Sequence, residues 1–251
     1  MSSRKVYSTP RRTVHNRPLL SSFRRRGLCL ALAGMVAAVF AARTEPRTAL
    51  VIGNSDYADG AELPNAERDA DAMADTLKDL GFRVLHYEDL DQRGMEEAVK
   101  TFAERLRRAG GAGLFYYSGH GFQAGGHSYL APIGVRIDSE TDARFKTVDV
   151  EYVLGEMEEA GSRMNIVILD ACRDNPFTRS FRRRGGEQLR GLSRVDAPVG
   201  TLIAYATSPG KTALDGRGKH SPYTGALLEV MKKPGLPLEQ AFKEVRIQVA
   251  R

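Results

Sequence analysis

Cysteine is scarce in this chain. Only Cys29 and Cys172 occur in 251 residues, which excludes a disulfide-built scaffold. Glycine and proline number 25 and 11, too few for a low-complexity or collagen-like chain. The one strongly apolar stretch near the N-terminus, Gly27–Ala42, is 16 residues without a charge, short of the roughly 20 that a spanning helix wants. With 42% apolar and 27% charged residues, the composition is that of a soluble globular protein. A disordered chain and a multi-span membrane protein are both excluded.

Basic charge is also missing where it would matter. The net charge is +6, but residues 1–47 hold ten Lys/Arg and one acid, Glu45, a local +9 that leaves −3 for the remainder. The folded part is therefore mildly acidic, and nucleic-acid binding loses its electrostatic basis. The N-terminal segment reads as targeting. Arg24-Arg25-Arg26 precedes the apolar run, and small residues (Ala41, Ala42) close it, the pattern of a secretory signal. An uncleaved N-terminal anchor and a disordered basic leader are the alternatives, since Val39-Phe40-Ala41 is not a clean A-x-A exit. The expected location is periplasmic, secreted or tethered by this segment, which is also the only expected membrane contact.

From residue 48 the chain alternates strand-like and helix-like patterns. Thr48–Gly53, Phe82–Tyr87, Gly113–Ser118, Asn165–Leu169 and Gly200–Ala206 are short apolar runs of the kind buried on both faces. A shorter extended piece is expected at Ser128–Ala131. Asn65–Leu80, Met95–Ala109, Val150–Ala160, Tyr223–Lys232 and Leu238–Val249 carry helical spacing. The pattern predicts an α/β domain with an open, mostly parallel β-sheet flanked by helices on both faces. Residues 173–199 break it, with seven arginines, three glycines and no apolar periodicity, and read as an exposed linker. The chain stops at Arg251 within a helical pattern, which suggests a shortened C-terminus or one lacking a final strand.

Two of the apolar strands run into residues able to do chemistry. Gly113–Ser118 leads to Gly119-His120-Gly121, and Asn165–Leu169 leads to Asp170-Ala171-Cys172-Arg173-Asp174. Ligand sites in open parallel sheets lie at the carboxyl ends of strands, so His120 and Cys172 are placed to face each other there. A thiolate attacks a carbonyl carbon, and a nearby imidazole raises the thiolate fraction and returns a proton to the leaving amine. The N–H groups of Gly121 and Cys172 are the candidate oxyanion donors. No third member is evident, so a Cys172–His120 dyad is expected.

Tyr116-Tyr117-Ser118-Gly119-His120-Gly121, followed 52 residues after His120 by Cys172 within Asp170-Ala171-Cys172-Arg173, resembles the caspase superfamily, whose signature pairs Q-A-C-[RQG]-G with a histidine about 50 residues upstream. Asp170 in place of Gln and Asp174 in place of Gly match its metacaspase and bacterial caspase-like branch. Leu50–Asn54, Leu63-Pro64-Asn65-Ala66 with Asp69-Ala70, Ala206–Gly210 and Ser221-Pro222-Tyr223-Thr224 are similar to further segments of the family, so the resemblance runs from about Arg47 to Arg251. It implies a cysteine endopeptidase acting on protein or peptide substrates, with a large-subunit part at about 48–178, a basic linker at about 179–198 and a small-subunit part at about 199–251. Asp170 occupies the position of a specificity residue, and Asp69 matches an acidic residue of the metacaspase S1 pocket; Asp215 is a third candidate. Carboxylates there pair with Arg or Lys, so cleavage after basic P1 residues is expected. Arg182, Arg183 and Arg184 in the linker are candidate self-processing sites. The alternative is a catalytically silent, membrane-tethered interaction module of the same fold, which slow thiol labelling of Cys172 would reveal.

Other signals are weaker. Gly119–Ala124 matches G-x-G-x-x-[GA] after a strand, but Gly125-Gly126-His127-Ser128 reads as a turn where a dinucleotide site needs a helix. His120, His127 and Cys172 lack zinc-ligand spacing. No cofactor is required. Calcium is left open by the family resemblance, with Asp89, Asp91 and Asp138–Asp142 as acidic clusters, though no EF-hand spacing is present; a solvated loop is the expectation for them. His86 and His220 read as surface or satisfied histidines.

Overall fold

A computed structural model describes residues 45–58, 61–171, 191–207, 216 and 218–250. The leader, Cys172, most of the basic linker with Arg182–Arg184, and Asp215 lie outside the described residues.

The fourteen elements of the described residues follow the alternation read from sequence: β1 (Arg47–Gly53), α1 (Pro64–Asp79), β2 (Arg83–Glu88), α2 (Gln92–Ala109), β3 (Ala112–Ser118), β4 (Gly121–Ala124), β5 (His127–Leu130), α3 (Glu140–Lys146), β6 (Val148–Asp149), α4 (Val150–Glu159), β7 (Met164–Asp170), β8 (Thr201–Tyr205), α5 (Pro222–Met231) and α6 (Leu238–Val249). Five strands form one sheet in the order β2-β1-β3-β7-β8, and every pair in it is parallel.

Parallel strands buried on both faces need apolar residues at consecutive positions, and β1 shows why. Leu50 and Ile52 point into one core with Phe115, Tyr117, Val167 and Leu169, where Met95, Phe102 and Leu106 of α2 and Val153 and Met157 of α4 cover them. Ala49 and Val51 point into the other with Leu114, Tyr116, Ile166 and Ile168, against Met73 and Leu77 of α1 and Leu227 of α5. The two-residue period of a strand sorts each run between two layers. A close approach is at Gly53, where an added Cβ would lie 2.6 Å from Ala70 Cβ and 2.7 Å from the Ala66 carbonyl oxygen. That position lets α1 settle onto the end of β1.

Two parts go beyond the sequence reading, which expects of the second sheet only the extended piece at Ser128–Ala131, now β5 (His127–Leu130). A second sheet, β4-β5-β6, is antiparallel. The expected turn at Gly125–Ser128 is only its first half: Gly125 and Gly126 take φ of 56° and 87°, as a tight hairpin demands, and His127 already begins β5. The segment Asp138–Asp142 is not a solvated loop. Ser139 caps α3 by accepting from Asp142 N, a local device that organises a short helix. A third cluster, with Tyr57, Phe122, Tyr129, Ile137 and Ala143, joins this helix and the small sheet to the main body. Among the described residues, no helix is long and apolar enough to cross a membrane.

Candidate active site

The register of the parallel sheet fixes where the chemistry-bearing strands end. Ser118 of β3 pairs with Asp170 of β7, so His120 and Cys172 are each two residues beyond a paired position. Gly119 N donates to the Asp170 carbonyl oxygen at 3.3 Å, which closes the gap between the two exits. An added Cβ on Gly121 would lie 2.9 Å from Ala171 Cβ. The two segments therefore touch on both sides of His120, and the glycines there serve an internal approach of the protein to itself. On Gly119 the same added atom would meet the Tyr117 and Tyr57 hydroxyls at 2.5 and 2.7 Å.

Those two phenols build the seat of His120. The backbone N–H of His120 donates to Tyr57 Oη at 3.1 Å, and Tyr117 Oη reaches the His120 carbonyl oxygen at 3.0 Å. The hydroxyls are 3.1 Å apart, and both lie within 3.0 Å of the Ala131 carbonyl oxygen. Ala131 N in turn donates to His120 O at 2.9 Å. The Tyr57 ring stands edge-on to the imidazole, with centroids 4.5 Å apart. His120 is only 3% exposed. Its Nε2 lies 2.8 Å from the Ala61 carbonyl oxygen. A carbonyl only accepts, so Nε2 carries the proton, and in the neutral ring the lone pair sits on Nδ1. His120 thus has an orienting partner. It is a main-chain oxygen, which no side-chain motif can announce.

The two expected pocket carboxylates are brought together by one residue. Asp69 of α1 and Asp170 at the end of β7 are both fully buried. Ser221 N donates to Asp69, 3.2 Å from each carboxylate oxygen. Ser221 Oγ donates to Asp170 Oδ2. The same Oγ accepts from Thr224 N at 3.0 Å and so caps α5. Thr224 Oγ1 donates to Asp170 Oδ2 at 2.7 Å and accepts from Tyr116 Oη at 2.6 Å. Two ionised carboxylates sharing one residue repel, and buried donors of this kind hold them in place. Burial, with Asp170 adding to it, pushes the Tyr223 phenol far up.

His220, the residue before this serine, places Nδ1 2.9 Å from Asp69 Oδ1. The segment is stitched to the first turn of α1. Arg68 Nε donates to the Lys219 carbonyl oxygen at 3.2 Å, and Asn65 Nδ2 donates to the Gly216 carbonyl oxygen at 3.4 Å. His220 and Ser221 were not expected at the site. Their partners lie 151 and 152 residues away in the chain, beyond the reach of any local pattern.

The acids considered for calcium have protein partners. Asp89 Oδ1 accepts from the backbone of Ser55 and Asp56 at 2.7 and 2.9 Å, and Asp91 caps α2 by accepting from Gly94 N. Asp138 pairs with Arg136, and Asp142 pairs with Lys146. His127 faces Asp149 and Glu151 at 3.0 and 3.4 Å. It has different partners from His120.

The caspase domain family matches residues 46–251. Mucosa-associated lymphoid tissue lymphoma translocation protein 1 of Homo sapiens is 28% identical over 170 residues, which is 67% of this chain and 19% of that protein. Its Mus musculus homolog matches with the same identity and coverage. The chain spans about a fifth of the length of these relatives. The crystal structure of the Drosophila initiator caspase Dronc superposes with a TM-score of 0.57 at 16% identity, over 81% of this chain and 72% of that one, a likeness of fold.

Proposed function

The chain belongs to the caspase domain family of peptidases, and from that premise we propose that it is a cysteine endopeptidase that cleaves after basic P1 residues. The observation that carries the proposal is the buried pair Asp69 and Asp170, joined through Ser221 beside the strand end that presents His120. A pocket floored by two carboxylates attracts a guanidinium or ammonium group and repels an acidic P1 side chain.

In this reading Cys172 is the nucleophile and His120 the acid and base. The thiol proton passes to Nδ1 of His120, and the thiolate attacks the scissile carbonyl carbon. The N–H groups of Gly121 and Cys172 stabilise the oxyanion. Nδ1–H then protonates the departing amine, and water attack on the thioester releases the acyl half and regenerates the thiol. Ala61 keeps Nε2 protonated throughout, so the same nitrogen gives and takes the proton. The mechanism needs no metal. Arg182, Arg183 and Arg184 are the proposed self-processing positions, and Asp215 is the proposed third pocket acid. The N-terminal 47 residues are proposed to export or tether the chain.

The test uses the full chain and its Cys172→Ala variant on fluorogenic peptides with Arg, Lys or Asp at P1, with and without calcium. Cleavage after Arg and Lys that vanishes in the variant supports the reading, as does loss of linker processing in the variant. A folded wild type that cleaves none of them, with Cys172 alkylated no faster than a free thiol, overturns it in favour of a silent interaction module.

A further inference from the structure

We propose that His220 sets the pH range and the cation preference of the acidic pocket by acting through Asp69: neutral, it orients the carboxylate for a basic P1 side chain; protonated, it cancels the charge that side chain needs. The inference rests on the basic-P1 reading and adds a regulation to it.

The geometry is specific. His220 Nδ1 is 2.9 Å from Asp69 Oδ1, and the imidazole is 19% exposed while the carboxylate is fully buried. The histidine is therefore reachable by protons from solvent, whereas the acid it touches is not in contact with bulk water. A carboxylate only accepts, so Nδ1 carries a proton in the neutral ring and Nε2 holds the lone pair. The backbone next to it cannot drift, because Ser221 N is bonded to the same carboxylate and the Lys219 carbonyl is held by Arg68. Gaining a proton at Nε2 leaves this hydrogen bond intact and adds a full positive charge beside Asp69. Asp69 and His220 together then pass from a net charge of about −1 to about 0, and the electrostatic term that favours a basic ligand shrinks with them.

Burial and the basic groups around the ring oppose that protonation, while the acids that face it favour it. Burial lowers the His220 pKa first, then Lys219 in its own segment, Arg68 on α1 and Lys232 at the end of α5. Asp69 and, through Ser221, Asp170 are the acids that face it. The net direction is downward from the ordinary 6.5, so the ring takes up its proton on the acid side of that value. By reciprocity, a cation bound in the pocket lowers the histidine's proton affinity as much as the proton weakens the cation.

The experiment measures KM and kcat between pH 5 and 8 for peptides with Arg or citrulline at P1, on the full chain and on His220→Asn. Asparagine places its amide nitrogen near Nδ1 and donates to Asp69 without titrating. Alkylation of Cys172 by iodoacetamide over the same pH range reports the dyad independently of P1. In the wild type, KM for Arg rises about tenfold more than KM for citrulline as pH falls through the His220 titration, a coupling of ordinary size. In His220→Asn that excess disappears, and the alkylation profiles of the two proteins coincide. Superimposable KM profiles in the two proteins, with Arg still preferred, overturn the role of His220 alone. No preference for Arg over citrulline at any pH overturns the basic-P1 reading and this inference with it. A measurement that needs no variant is the proton NMR titration of the histidine ring with agmatine as a free guanidinium probe. Agmatine lowers the His220 pKa by about one unit if the coupling is tenfold, and binding without such a shift overturns the inference.

Discussion

His120 owes its placement to neighbours that a motif does not contain. Tyr57 accepts its backbone N–H and packs edge-on to its ring. Tyr57→Phe leaves a buried N–H without that acceptor, at about 1–3 kcal/mol, and loosens the imidazole. The expected result is a lower urea midpoint, together with a fall in kcat that exceeds the change in KM. Equal stability and equal kcat would assign the tyrosine no part in seating the histidine. At Asp170, substitution by Asn keeps the shape and removes the charge. On the proposed reading, kcat/KM for Arg at P1 falls by about 100-fold, in line with about 2–5 kcal/mol for a buried charge pair, while cleavage of a citrulline peptide changes little.

At this scale the sequence displayed the side chains and hid their partners. His120, Asp69 and Asp170 stand at ends of apolar runs or in a family-like segment, and those positions were readable. The carbonyl of Ala61 was not, because a backbone oxygen has no residue identity. His220 was read as a satisfied histidine, which is true of it, but the group that satisfies it lies 151 residues earlier in the chain.

Among elements, the contact of α1 with β1 decides where Asp69 stands. Gly53→Ala puts a methyl group within 2.7 Å of Ala70 Cβ and the Ala66 carbonyl, both on α1 and one residue or one turn from Asp69. Overpacking of this kind costs about 1–3 kcal/mol. The helix must shift to relieve it, so the substitution lowers the denaturation midpoint and, on the proposed reading, weakens selection of Arg over citrulline with it. Elements of ten or more residues and the buried strands of the large sheet were legible, since their periods run long enough to be seen. Of the sheet β4-β5-β6 only the β5 piece was, and its pairing into a sheet was not. Its strands are four residues or fewer, and one of them starts among the glycines that flank His120. Helix α3 was missed for a related reason. Its seven residues are mostly charged, and its order comes from the Ser139 cap and the burial of Ala143 rather than from an apolar stripe.

For the whole molecule, acid and alkali act through groups on different faces. Burial holds His86 and His220 below their ordinary 6.5, so the unfolded chain binds their protons more readily than the folded one. Their contribution to stability is present above pH 6.5 and is lost as pH falls from there toward the folded values. Tyr152 is pushed up from 10.0 to about 12 by burial beside Glu156 and Glu96, so stability is also lost as pH rises above about 10. The urea midpoint should be highest between these limits. His86→Gln should flatten the slope between pH 6.5 and 5, and an unchanged slope would remove this histidine from the account.

Ser221 joins residues that the ribosome makes far apart in time. Its partners on α1 and β7 precede it by 152 and 51 residues, and β8 lies between β7 and the serine in the chain. A nascent chain carrying His120, Cys172 and both aspartates still lacks the serine that bonds to both carboxylates. The arrangement of Asp69, Ser221 and Asp170 is thus a late product of folding, since it cannot form before Ser221 is made. On the proposed reading, a basic side chain finds both carboxylates in place only after the ribosome has passed Ser221.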